Sequence, residues 1–248
     1  MAKLLQLQVH TGARSPGGRR PLLLQNCPGV CLMRLDTHIH SKYSYDSLSD
    51  PVRILKVARK RGLDAISITD HGSMQAYSSS FRSSDPLVIP GMEVKTDRGD
   101  VIGLFLNEPL EGTGFFEICD RIRDQQGIVV LPHPYHRSCD PEELVGHIDL
   151  LEVLNSRSRK EENIRAQALS HRFGIGPITG SDAHTCSEIG RAVTEIDGIY
   201  SDLDELRRVL LRADRRCSGS LSPYVISRGF SFGTGMLKRF TGGLCGKR

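Results

Sequence analysis

Apolar runs along this chain are short, and nearly every one ends in polar residues. Val30 to Leu35 reads as a buried strand and runs into Asp36-Thr37-His38-Ile39-His40. Side chains two apart on a strand share a face. The spacing therefore predicts that Asp36, His38 and His40 project together. Ala65 to Thr69 predicts a second strand running into Asp70-His71-Gly72. Leu87 to Val94 predicts a third, with Glu93 near its end, and Asp100 to Leu106 a fourth. Ile128 to Leu131 leads into Pro132-His133-Pro134, Ile148 to Leu154 into Asn155 and Arg157, and Pro177 to Gly180 into Ser181-Asp182-Ala183-His184. Helical patterns lie between. Asp50-Pro51 caps one that runs through Arg61 and stops at Gly62. Others are expected around 74–81, 115–126, 141–145, 161–173 and 203–211.

Strands alternating with helices predict an α/β fold of βα units and a mainly parallel sheet. About seven strands carry polar residues at their C-terminal ends, which a closed or distorted barrel gathers on one face. An open doubly wound sheet is the rival. Its site would centre on a switch point and usually on a glycine-rich phosphate loop, and the sequence has neither a GxGxxG nor a Walker-type loop.

The 248 residues, 38% hydrophobic, suit one domain with a proper core. No stretch approaches the roughly 20 apolar residues of a membrane span, so no membrane association is expected. The net charge of +4 is unevenly laid out. Residues 1–34 hold five bases and residues 215–248 hold seven, with no acid in either segment. Setting those twelve aside leaves 21 bases against 29 acids, a formal −8 that bound cations would offset. Residues 1–31 read as an N-terminal extension, either disordered or a start placed ahead of Met33; a transit peptide has a similar composition. Residues 32–215 form the expected domain. Residues 216–248 form a basic tail, which could touch RNA or phosphate or be merely solvated. The seven cysteines are odd in number and form no CxxC pair. That argues against a disulfide framework and for a reducing, cytoplasmic setting.

The strand ends collect His38, His40, His71, Glu93, His133, Asp182 and His184, with Asp46 and Asp100 close in sequence. Nitrogen and carboxylate donors without cysteine suit Zn²⁺, Mn²⁺ or Fe²⁺. So many donors exceed one ion's shell, and two to three divalent ions are implied, with Glu93 a candidate bridge.

These residues carry a resemblance. Asp36-Thr-His38-Ile-His40, Thr69-Asp70-His71, Leu-Pro-His133-Pro and Gly-Ser-Asp182-Ala-His184 occur in the order found in the polymerase and histidinol phosphatase (PHP) superfamily of metal-dependent phosphoesterases, and Gly91-Met-Glu93 also matches. The similarity covers about residues 32–215. It implies a distorted (β/α)7, TIM-like barrel of a single domain with a trinuclear site. His38, His40, Glu93 and Asp182 would hold one ion, Glu93 and His133 a second, and His71 and His184 a third with Asp46. Many members place a histidine in the glycine-bounded segment after the glutamate, where this chain has Gly99-Asp100-Val101-Ile102-Gly103. Asp100 could ligate through oxygen in its place, or the second ion could be weaker or absent.

The expected activity is hydrolysis of a phosphomonoester (a nucleotide, nucleoside bisphosphate or histidinol phosphate) by metal-activated hydroxide. His71 or Asp70 could move a proton, and His136, Arg137 and Arg157 could hold substrate phosphate. A 5′–3′ exoribonuclease acting on short RNA is the alternative. Only 39 residues separate Glu93 from His133 and 48 separate His133 from Asp182. No inserted domain fits, so an open pocket and a small phosphorylated substrate are expected. A non-catalytic scaffold would have lost several ligands, and an amidohydrolase would need a ligand lysine at a mid-chain strand end. The sequence does not indicate the oligomeric state.

Overall fold

A computed structural model of the chain describes residues 31–77 and 85–223. Nine strands form one continuous mixed sheet: β1 (Leu32–Ile39), β2 (Ala65–Ile68), β3 (Leu87–Thr96), β4 (Gly99–Leu104), β5 (Ile128–Leu131), β6 (Leu150–Asn155), β7 (Gly176–Gly180), β8 (Ala192–Asp197) and β9 (Arg215–Gly219). Their spatial order is β7-β6-β5-β4-β3-β2-β1-β8-β9. The sheet rolls until β7 returns against β1. Thr37 Oγ1 donates to the Thr179 carbonyl at 3.1 Å, and Ile39 bridges Ala183 in parallel. The result is the expected α/β class, a nearly closed, distorted barrel.

The expectation of a mainly parallel sheet holds for only part of it. Pairs β1–β2, β2–β3, β5–β6 and β6–β7 are parallel, whereas β4 is antiparallel to both neighbours. Only Asp97 and Arg98 separate β3 from β4, far too few residues for a parallel crossover. Strands β8 and β9 were not anticipated. They add antiparallel strands beyond β1, and β9 carries the sheet past Arg215 into the segment read as tail. The remainder of that tail, and residues 1–30, lie outside the described residues.

Helices α1 (Pro51–Lys60), α2 (Phe115–Asp124), α3 (Lys160–Phe173) and α4 (Leu203–Leu210) match the helical patterns, and Pro141–His147 forms a 3₁₀ turn. The Asp50 side chain accepts the Val52 N–H at 3.0 Å, with Pro51 behind it, so α1 begins where the capping pair predicts. The helix expected around 74–81 is not formed at Ser73–Tyr77, which are irregular or turn; residues 78–81 lie outside the described residues. Helix α4 closes the barrel floor. Leu206 and Leu210 pack with Met33, Leu35, Ile89, Ile102, Val130 and Ile178, while α2 and α3 cover the outer face through Phe115, Ile118, Ile122 and Leu169.

One irregularity re-aims the first strand. Leu35 belongs to the barrel interior, but Ile39 packs outward against Ile54 and Ala58 of α1. Strict alternation would put these two on the same face. A register shift between Asp36 and Ile39 reverses it. Above that bulge His38 and His40 face the interior, so Asp36 does not share their face as the spacing predicted.

Described cysteines 31, 119, 139, 186 and 217 are all free. No helix among the described residues is long and apolar enough to cross a membrane.

Close strand packing depends on Gly91. A Cβ there would sit 2.5 Å from Ser67 Oγ and 3.1 Å from the Gly103 carbonyl. Gly91→Ala is expected to destabilise the fold by about 1–3 kcal/mol through overpacking. Urea unfolding of the purified variant measures this, and an unchanged midpoint would show that β2 and β4 yield freely.

Candidate metal centre

The rolled sheet brings the C-terminal ends of β1, β2, β3, β5 and β7 to one mouth. His38 and His40 leave β1, buried, with their Nε2 atoms 3.2 Å apart. Glu93, on the interior face of β3, is the hub. Its Oε2 lies 3.4 Å from His38 Nε2, 3.3 Å from His40 Nε2 and 3.3 Å from His71 Nδ1, and its Oε1 lies 3.1 Å from His133 Nε2. Asp182 Oδ1 is 3.3 Å from His40 Nε2, and Asp46 Oδ2 is 2.7 Å from His184 Nε2 and 3.5 Å from His71 Nε2. Four overlapping groups have donor atoms within 4.8 Å of one another: His40/Asp46/His71/His184, His38/His40/Glu93, His38/His133/Asp182 and Glu93/Asp100/His133. All nine residues expected from the sequence as ligands fall into these groups, and Asp100 stands where it can complete the group around His133.

Two of them hold unusual backbone. His133 has φ of 26° and Asp182 of 52°, left-handed conformations that non-glycine residues adopt rarely and at a cost of about 1–3 kcal/mol each. At His133 the turn also breaks strand alternation, because Leu131 packs outward and His133 points in.

A carboxylate inside β6 holds the cluster together. Glu152 is buried; its Oε1 faces His38 Nδ1 at 2.9 Å, and its Oε2 accepts the His133 N–H at 2.7 Å and Asn155 Nδ2 at 2.9 Å. Asn155 Nδ2 also reaches Asp182 Oδ2 at 3.3 Å. Glu152 thus fixes the His38 ring so that Nε2 faces the cluster, the carboxylate–histidine arrangement common behind metal ligands. Nothing bulkier than Gly180 fits beside it, since a Cβ there would run into Glu152 and His38. Glu152 was not singled out from the sequence, and Asn155 was noted only as the polar residue that ends its strand. The available signal was one acid in the otherwise apolar run Leu150-Leu151-Glu152-Val153-Leu154.

Other expected residues have different work. Asp36 accepts the backbone N–H groups of Ser181 (3.0 Å) and Gly190 (2.7 Å), tying β1 to the loop after β7. Asp70 takes the Ser41 N–H and hydroxyl, both at 2.5 Å, and so shapes the loop after His40 instead of facing substrate. His71 presents its two nitrogens to Glu93 and Asp46, as a ligand would. Arg137 is committed to four backbone carbonyls, those of Pro134, Arg98, Asp100 and Pro132, at 2.8 to 3.1 Å. Its guanidinium locks the β3–β4 hairpin and has no edge left for phosphate. His136 pairs with Glu162 at 2.9 Å and stacks on His133. Arg157 is partly buried just past β6, its backbone N–H on Asn155.

The electrostatics are mutual. Burial works against ionising Glu93, but His71 and His38 outweigh it and hold the carboxyl well below its usual range. Burial likewise opposes charge on Asp182, and His38 and His40 overcome it. On the basic side, burial disfavours His38⁺ and His71⁺, yet Asp182 and Glu152 raise the first well above normal and Glu93 and Asp46 raise the second to about 9. His40, buried and beside His184, is pushed down to about 3 and stays neutral, the form that binds metal. The Nδ1 atoms of His40 and His133 are buried without a hydrogen bond. Convergent imidazole nitrogens and carboxylate oxygens, with no thiolate, fit hard or borderline divalent cations. The donors number too many for one ion, so the arrangement defines a polynuclear metal site.

A mixed barrel with a polynuclear histidine–carboxylate centre at its mouth is the class of protein that fold and site define. The family model for the PHP domain matches residues 36–137, and that for the PHP-associated region matches residues 160–214. Two uncharacterized proteins of Methanocaldococcus jannaschii are similar: MJ1587, 36% identical over 121 residues (43% of this chain, 71% of that protein), and MJ0417, 31% identical over 172 residues (64% and 69%). The chain belongs to the PHP family. Among solved structures it resembles a two-domain protein of Bacteroides vulgatus containing a predicted PHP-like metal-dependent phosphoesterase. That likeness has a TM-score of 0.63 at 22% identity, covers 82% of this chain and 70% of the other, and is one of fold.

Two outcomes follow from the geometry. Glu152→Gln removes the charge behind His38 and is expected to weaken Mn²⁺ binding about 10- to 100-fold while the fold persists. Equilibrium dialysis with metal analysis measures it, and unchanged affinity would contradict the orienting role. Cations must displace the protons that the carboxylates hold on His38 and His71. Mn²⁺ affinity should therefore rise between about pH 6 and about pH 9 and fall on acidification; a flat profile over that range would contradict it.

Proposed function

We infer that the chain is a metal-dependent phosphoesterase hydrolysing a small phosphomonoester, such as a nucleotide, a nucleoside bisphosphate or histidinol phosphate. The observation that carries this is the convergence of four imidazoles on the two oxygens of Glu93, flanked by Asp46, Asp100 and Asp182. His38, His40, Glu93 and Asp182 would hold one cation, Glu93, His133 and Asp100 a second, and Asp46, His71 and His184 a third. Mn²⁺, Zn²⁺ and Fe²⁺ all suit the donors. Such cations, when bound, supply Lewis-acid activation of water and neutralise charge developing on a phosphoryl group.

The remaining chemistry lies in the protein. His38 and His40 are 1% and 0% exposed at the side chain, against 19% for His71 and 12% for Asp182. The floor is therefore dry and the opening lies on the His71 side, from which the phosphate enters. Glu152 and Asn155 keep the donors of β1, β5 and β7 in register without reorganising as charge moves. Arg137 holds the hairpin that carries Asp100, so its contribution is to shape the rim. A dry, pre-arranged centre opening on one side suits a terminal phosphate presented end-on.

The decisive experiment is a substrate panel on the Mn²⁺-loaded protein: an aryl phosphate, histidinol phosphate, nucleoside 3′,5′-bisphosphates and short 5′-phosphorylated RNA. Phosphate release from at least one monoester is expected, with His38→Ala lowering turnover at least about a hundredfold. No release from any of them, with metal bound, would overturn the proposal, and turnover confined to the RNA would move it to a nuclease.

A further inference from the structure

Beside the metal centre lies a cavity of about 330 Å³, large enough for a small ring-bearing ligand. Tyr45 and His71 form one wall, Lys95 and Asp100 of the β3–β4 hairpin another, and Leu110 and Gly112 of the following loop a third. None of the chemistry so far uses Tyr45 or Lys95, and three features of this space bear on what enters it.

First, Tyr45 is 63% exposed although its ring is held in place. It stacks on His71 with centroids 4.8 Å apart and planes 21° apart. One ring face is therefore fixed against the centre while the other remains open. An exposed aromatic held flat at the lip is a platform for a second planar group.

Second, Lys95 continues the interior face of β3 two residues beyond Glu93, which places it about 7 Å further along the strand. It is exposed and makes no ion pair among the described residues. The group directly across the hairpin is Asp100, its register partner. Asp100 is gathered with Glu93 and His133, and Lys95 is the one lysine among the residues that line the cavity.

Third, the remaining lining is apolar. Leu110, Met92 and Val94 border the space, with their side chains buried in the outer apolar cluster around Phe115 and Ile118. The cavity thus offers the open face of Tyr45 and, on the hairpin wall, Lys95.

We propose that this cavity is the leaving-group pocket, and that it selects phosphomonoesters whose alcohol carries a planar ring and, beyond it, a second anionic group. The phosphate would lie in the metal centre, the ring against Tyr45 and the distal anion at Lys95. This rests on the phosphoesterase reading for its chemistry, and it adds the class of alcohol that reading leaves open.

Binding of non-hydrolysable phosphonates separates the two. Methylphosphonate, benzylphosphonate and 4-carboxybenzylphosphonate would be titrated into the Mn²⁺-loaded full chain by calorimetry. The ring should tighten binding about fivefold over methyl, and the carboxylate about threefold to fivefold more. Tyr45→Ala should abolish the benzyl-over-methyl ratio, and Lys95→Gln the carboxybenzyl-over-benzyl ratio. Both residues are exposed, so neither change disturbs the core. Ratios near one in the wild type, or ratios that survive both substitutions, would overturn the pocket. Phosphate release from methyl, phenyl and 4-carboxyphenyl phosphates is measured in parallel. Intact ratios without any release would sink the hydrolytic reading alone; release from all three with ratios near one would sink the pocket alone.

Discussion

Everything at the barrel mouth depends on the Glu93 carboxylate meeting four imidazoles. Taken singly, each of these groups is a poor thing to bury, because removing an ion from water costs several kcal/mol or more. Together they stabilise one another's charged or ligand forms. Glu93 stays ionised because His71 and His38 face it, and those histidines hold their protons because carboxylates face them. Such a cluster balances its charge with protons or with cations. The buried, unbonded Nδ1 atoms of His40 and His133 and the neutral state of His40 favour cations. The surrounding fold can be understood as the means of holding these groups closer than they would otherwise stay.

That constraint accounts for the places where the backbone departs from regularity. A bulge in β1 turns His38 and His40 inward after Leu35 has already pointed inward. A left-handed conformation at His133 re-aims a strand end that alternation would have misdirected, and Asp182 holds the same rare conformation. Gly180 leaves room for Glu152 against His38. Strain of this kind collects at functional sites because surrounding structure over-determines it. Here Asp36, Glu152 and Asn155 supply the tie points, each linking two or more strands through buried hydrogen bonds.

Much of this was legible in the sequence because the ligands lie at strand ends, where short apolar runs give way to histidine and aspartate. Seven strands and seven of the nine ligand candidates could be placed that way, with Asp46 and Asp100 placed by their nearness in sequence, and the four described helices followed from their own apolar patterns. What was missed has physical causes. The stretch Arg215-Arg-Cys-Ser-Gly carries no hydrophobic periodicity, and pairing with β8 makes it a strand. The antiparallel turn of β4 follows from a two-residue connection rather than from any pattern in the strand. Arg137 reads as a phosphate ligand from its position just past His133, yet four carbonyls take up its guanidinium, an outcome that only tertiary structure decides. Asp36 looked like a partner for its neighbouring imidazoles until the bulge placed it on the opposite face. Glu152 lay hidden in an apolar run because its partners are 114 residues away at His38 and 19 away at His133.

Anomalous diffraction from crystals grown with saturating Mn²⁺ tests the central claim most directly. The account predicts at least two separate peaks inside the cluster, one bounded by His38, His40, Glu93 and Asp182 and another by donors that include Asp46, His71 and His184. The absence of any peak among these residues, with the protein folded and the metal in excess, would contradict it.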